Sequence, residues 1–125
     1  MSTNRRKTPF RYVLKEPVAT EMHIISINGV PAPPKPIEAL MHDISKTGCC
    51  LSIPLEIHVD LNQVRISLNV LLNEDPLYFE GNLQWDREEK GRFYYGVQLE
   101  IPEAEQDRLP RELRMLAGAR RILVL

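Results

Sequence analysis

A chain of 125 residues, 43% apolar and 26% charged, has the size of one domain with a real core. Its net charge of −1 excludes a global basic field for nucleic acid, and no apolar run approaches the ~20 residues that span a bilayer. Ten prolines and few alanine-rich runs favour strands and loops over a helical bundle.

Residues 1–9 read as a polar arm, either a mobile anion clamp or a solvated terminus. Residues 1–11 lack the apolar core of a signal peptide. Val18 to Ile27 alternates as a strand, with Val18, Thr20, Met22 and Ile24 on one side. Asn28-Gly29 is a turn, and the proline-rich stretch from Val30 to Pro36 reads as a loop that lengthens the first hairpin. Ile37 to Ile44 is the second strand. Cys49, Leu51 and Ile53 belong to a short third one, ended by Pro54. Cys49 and Cys50 are neighbours that point to opposite strand faces, so they read as a reduced pair suited to the cytoplasm.

Val64, Ile66, Leu68, Val70 and Leu72 give the cleanest period of two. After a turn at 73–76, Leu77 to Trp85 alternates again, 86–91 reads as a charged hairpin loop, and Phe93 to Ile101 is the last strand. Six antiparallel strands joined by turns predict an all-β barrel or sandwich, and closure would remove the exposed edges. Pro102-Glu103 opens a helical stretch in which Leu109, Leu113 and Leu116 share a face. Pro110 predicts a kink or two short helices, with Gly118 as a candidate end. The tail from Ile122 to Leu125 could pack on the barrel or on a second copy.

The chemistry concentrates in two stretches. In Asp43-Ile44-Ser45-Lys46-Thr47-Gly48, Ile44 points to one face while Asp43 and Ser45 present a carboxylate and a hydroxyl on the other. Asp and Ser favour a turn here, and Gly48 is a residue that takes positive φ without steric cost. Upstream, Arg5-Arg6-Lys7-Thr8-Pro9-Phe10-Arg11 holds four cations. A carboxylate accepts from the N–H groups of a guanine edge, and arginines fork onto phosphates or onto guanine O6/N7. Together they suggest a ligand with guanine and phosphate. His23, His42 and His58 lack metal-ligand spacing, and His23 and His42 read as solvent-facing. There is no nucleophile elbow, Walker loop or paired-carboxylate motif, so neither an enzyme nor a metal site is expected. Trp85 reads as core filling, although its place at a strand end beside Asp86 leaves a ligand-edge role open. Gly96, inside a strand, marks either a barrel corner or close approach of a ligand.

Over roughly residues 5 to 105 these features resemble the PilZ domain, whose signature is RxxxR followed by D/NxSxxG. Asp43, Ser45 and Gly48 match the second half. In the first half Arg11 is the last arginine, and Lys7 stands where the pattern has its first. The resemblance implies a bacterial cyclic di-GMP receptor in second-messenger signalling, built as a six-stranded antiparallel Greek-key β-barrel with a short C-terminal helical segment. Residues 1–11 would be the mobile basic arm, 12–101 the barrel, and 102–125 the helix and apolar tail.

The resemblance further implies that Asp43 accepts from the guanine Watson–Crick edge, Ser45 bonds a base or phosphate, and Gly48 admits the ligand to the backbone. Arg5, Arg6, Lys7 and Arg11 would meet phosphates and guanine O6/N7, Gly96 would lie near the nucleotide, and Thr47, Cys49 and Trp85 would stand beside it. An arginine directly before the motif tends to accompany a stacked pair of ligands in the family. Arg6 holds that place, so two nucleotides per chain are expected, with no other cofactor. The implied partner is a protein of motility, exopolysaccharide or related surface-lifestyle control, with the chain a monomer or homodimer, no nucleic acid and no membrane insertion. Two other readings use the same residues. One is a PilZ-like interaction module that does not bind the nucleotide. The other is an OB-type nucleic-acid barrel, which the charge balance and the lack of an aromatic row beside the arm weaken.

Overall fold

The computed structural model describes residues 11–33 and 35–124. Arg5, Arg6 and Lys7 therefore lie outside the described residues. The strands are β1 (Tyr12–Ile27), β2 (Val30–Pro31), β3 (Pro36–Ile44), β4 (Gly48–Ile53), β5 (Val64–Val70), β6 (Leu77–Glu89), β7 (Arg92–Glu100) and β8 (Ile122–Val124). Two helices, α1 (Glu103–Gln106) and α2 (Arg108–Gly118), come between β7 and β8. Pairing runs β1–β3–β4–β7–β6–β5, and β5 pairs back onto β1. Six antiparallel strands thus close a barrel. The long connection from β4 to β5 makes the Greek key, because β4 lies beside β7 and not beside β5.

Alternation along the strands fills the interior. Met22, Met41, Ile44, Leu51, Ile66 and Phe79 are all at most 1% exposed, so closure removes nearly all of their surface from water. Tyr95 is buried with them, and its hydroxyl is used. It donates to the carbonyl of Leu55 at 2.9 Å and accepts from the amide of Ile57 at 2.6 Å, which pins the β4–β5 connection. At the end of β7 the chain turns into the helices, and Leu109, Leu113 and Leu116 join the same core. Pro110 falls in the first turn of α2, where an amide is not required, and the break comes at Asp107. Glu105 and Glu112 are buried because each has a partner: the amide of Tyr78 at 2.8 Å for Glu105, the Asn73 side chain at 2.9 Å for Glu112.

Several expectations from the sequence are corrected. The first strand begins at Tyr12, well before Val18. Its start is hidden from pattern reading because residues 14–17 bulge against His42 alone, since Val13 pairs with Asp43 and Val18 with Met41. Pro17 sits in that bulge, where no ladder amide is needed. Val30 and Pro31 are a short strand on Ile27 and Ser26, not wholly loop. The hairpin loop expected at 86–91 is only Lys90-Gly91, with φ of 53° and 79°, because a two-residue turn of this hand matches strand twist and lets β6 and β7 pair out to Glu89 and Arg92. The described part of the apolar tail joins its own barrel, with Ile122 buried. As β8 it pairs with the first residues of β1: Tyr12 with Val124, Val13 with Leu123, Leu14 with Ile122.

Candidate functional site

One row of paired residues crosses the outer face of the barrel. Val13 pairs with Asp43, Asp43 with Cys50, Cys50 with Gly96, and Gly96 with Trp85. The row is the floor of a groove of about 760 Å³, a volume within the usual span of small-ligand sites. Arg11 and the Ser45–Gly48 turn rim one side. Ser52 pairs with Tyr94 and Tyr94 with Arg87 in the adjoining row, whose aromatic and cationic side chains rim the other.

Two β-bulges build this face. Between Met41 and Asp43 the ladder to β4 slips by one residue, so His42 and Asp43 both turn outward. Between Leu83 and Trp85 the ladder to β7 slips likewise, so Gln84 and Trp85 both line the groove. Strict alternation would have sent Trp85 inward with Leu83. The core-filling reading of Trp85 is therefore corrected: it is 44% exposed on the groove. Gly96 is explained by the same indole. A Cβ there would lie 2.7 Å from Trp85 Cδ1 and closer still to Nε1 and Cε2, so the indole on the paired strand already requires a glycine here.

Asp43 is the half-buried acid of the groove. Its carboxylate lies 4.0 Å from Arg11 Nε. Burial pushes its pKa up, while Arg11 and a bond from the amide of Cys50 pull it down less strongly. Ser45 holds its own turn: Oγ accepts from the amides of Thr47 at 3.3 Å and Gly48 at 3.2 Å, and the Ser45 amide donates to the Gly48 carbonyl at 2.8 Å. Gly48 is not among the positive-φ residues, which corrects that expectation. Its lack of a Cβ serves packing, since a Cβ would lie 2.7 Å from the carbonyl oxygen of Val97.

Arg11, Asp43, Ser45, Thr47, Gly48, Cys49, Trp85 and Gly96 all border this groove. Cys49 and Cys50 are free thiols, and burial raises the pKa of both, that of Cys50 to about 11, so neither is a ready nucleophile. Sequence reading missed Arg87, Tyr94 and His42. The Arg87 guanidinium lies 4.9 Å from the Tyr94 ring centre and 5.8 Å from that of Trp85, and its Nε is 3.3 Å from Glu89. Tyr94 also meets the His42 ring, with centroids 4.9 Å apart. His42 turns outward as expected, but it is half-buried and bonded to Ser52, so it is less open to solvent than the sequence suggests. The only advance signal for Arg87 and Tyr94 was their position beside Trp85 and Gly96 on paired strands. Among the described residues, no group of His, Cys, Asp and Glu could hold a metal ion, and no helix is long and apolar enough to cross a membrane.

Comparison with known proteins places the chain in a family and beside a solved structure. The family model of the PilZ domain matches residues 5–114. Among solved structures, the chain is similar to the Bacillus subtilis inhibitor of motility, MotI/DgrA, at 16% sequence identity and a TM-score of 0.61. That match covers 94% of this chain and 54% of the other, so the chain spans about half the length of that protein. At this identity the likeness concerns the fold. None of the curated proteins compared with the chain matches it.

Proposed function

The chain belongs to the PilZ domain family, and we propose that it is a cyclic di-GMP receptor that passes its ligand state to a protein partner. PilZ domains are receptor and effector modules, not enzymes. The observation that carries the proposal is the row from Val13 to Trp85. It sets a half-buried carboxylate, an arginine and an exposed indole along one groove. Asp43 accepts from guanine N–H groups, Arg11 meets phosphate, and the indole of Trp85 offers a face for a base. Arg87, held over Tyr94, adds a cation on the far rim. Arg5, Arg6 and Lys7 supply the remaining charge from the arm, which orders over the ligand, and the groove takes two nucleotides. An arm ordered only by ligand has the entropic cost that makes a switch.

The partner belongs to motility, exopolysaccharide or related surface-lifestyle control. Likeness in fold to an inhibitor of motility favours the first. A second reading has two observations behind it. Ser45 spends its hydroxyl on its own turn, and Lys7 replaces the first arginine, as in a PilZ-like module that does not bind the nucleotide. Trp85 is the single tryptophan, so its fluorescence separates the readings. Cyclic di-GMP should change the emission saturably where GMP does not. Unchanged emission and unchanged trypsin cleavage after Arg5, Arg6 and Lys7 would favour the interaction module.

A further inference from the structure

We infer that His42 is a guanine-selecting hydrogen-bond donor, set beside Asp43 so that the pair reads a purine edge by its order of donors and acceptors. This rests on the receptor reading above. The tautomer follows from the accounting around Ser52. That residue is fully buried, and its Oγ already accepts from Arg92 Nε at 3.0 Å, while Arg92 also donates to the Ser52 carbonyl at 2.8 Å. The hydroxyl proton needs an acceptor, and His42 Nε2 lies 2.7 Å from Oγ. Nε2 therefore accepts, and the ring proton resides on Nδ1.

Among the described residues, Nδ1 has no hydrogen-bond partner and no buried side-chain polar atom is without one, so Nδ1 is open to the groove that His42 lines. Burial, and then the charge of Arg92, lower the His42 pKa, which keeps the ring neutral. Arg92 and Ser52 are positioning residues: they fix which nitrogen carries the proton. The bulge that turns His42 and Asp43 outward together puts a donor next to an acceptor. Guanine presents O6, an acceptor, beside the N1–H and N2–H donors. His42 meets the first and Asp43 the others. Adenine presents a 6-amino donor beside the N1 acceptor, and both contacts become repulsive.

The test measures affinities for cyclic di-GMP and cyclic di-AMP in wild type, His42→Phe, His42→Asn and Ser52→Ala, with thermal melts to confirm folding. Phe keeps a ring against Tyr94 and removes the donor; Asn keeps an N–H near the position of Nδ1. We expect His42→Phe to weaken cyclic di-GMP about tenfold without weakening cyclic di-AMP, and Asn to recover most of the loss. Ser52→Ala should lower selectivity by freeing the tautomer. Wild-type affinity and selectivity in His42→Phe, or failure of Asn to recover any of the loss, would overturn the role of His42 while leaving the receptor reading standing. Absence of cyclic di-GMP binding in wild type would overturn both.

Discussion

The indole of Trp85 occupies the space that a Cβ on Gly96 would fill. The two residues pair across β6 and β7, so the glycine lets an aromatic lie against the sheet and form a shelf at the end of the groove. Gly96→Ala must push the ring away. One side of the indole is open, so the stability cost is modest, about 1 kcal/mol in urea unfolding. Emission from this single tryptophan should shift to the red, and cyclic di-GMP affinity should fall. An unchanged spectrum would mean that the ring does not rest on Gly96.

Asp43 should trade stability for binding. Burial raises its pKa above the ordinary 3.8, so the folded state holds the proton more tightly than the unfolded one. Its contribution to stability is greatest below 3.8, falls as pH rises through the interval up to the folded value, and is flat above it. Asp43→Asn removes that fall. Urea unfolding between about pH 3 and pH 7 should show the variant gaining on wild type with rising pH, then holding the advantage. Its cyclic di-GMP binding should weaken by about 1–3 kcal/mol, because an amide cannot accept from both guanine donors. A wild type that gains on Asp43→Asn with rising pH would contradict the sign.

The root of the arm is held between two strands. Val13 pairs with Asp43 of β3 on one edge and with Leu123 of β8 on the other. Ile122 is 7% exposed and pairs with buried Leu14, and the Lys15 amide donates to the Arg121 carbonyl at 3.0 Å. Ile122→Ala should cost about 2 kcal/mol in unfolding free energy and raise hydrogen exchange at Tyr12 to Leu14. Unaltered exchange there would show that β8 does not secure the arm.

Stoichiometry tests the role of Arg6. A stacked pair of cyclic di-GMP molecules brings four phosphates and an extra guanine face, and an arginine plane can both stack and pair with phosphate. Titration should saturate at two nucleotides per chain, and Arg6→Leu should move saturation towards one. Lys7→Arg should tighten binding without altering the number. Saturation of wild type at one would make Arg6 a generic phosphate contact.

Much of the barrel was legible because one face of each strand is buried. The period of two from Val64 to Val70 and from Leu77 to Leu83 reports that face directly, and Asn28-Gly29 reports its turn. The Asp43–Gly48 stretch marked one rim of the groove by residue type alone. The opposite rim was illegible because a bulge carries no residue signature: a slip at Gln84 changes which way Trp85 points, and another at His42 sets that ring on the same face as Asp43. The docking of β8 was also hidden, since pairing of Ile122 with Leu14 is a contact between the two ends of the chain. Gly96 was noticed, but its reason lies on the neighbouring strand.

The central claim is that this groove binds cyclic di-GMP, and isothermal calorimetry of the full chain tests it most directly. Cyclic di-GMP should give saturable heat, with GMP and single-stranded DNA giving none at the same concentrations. Asp43→Ala and Arg11→Ala should each weaken binding by about 1–3 kcal/mol, since each removes a contact to a ligand group left without its partner. Absence of heat from folded wild-type protein, or wild-type affinity in both variants, would contradict the account.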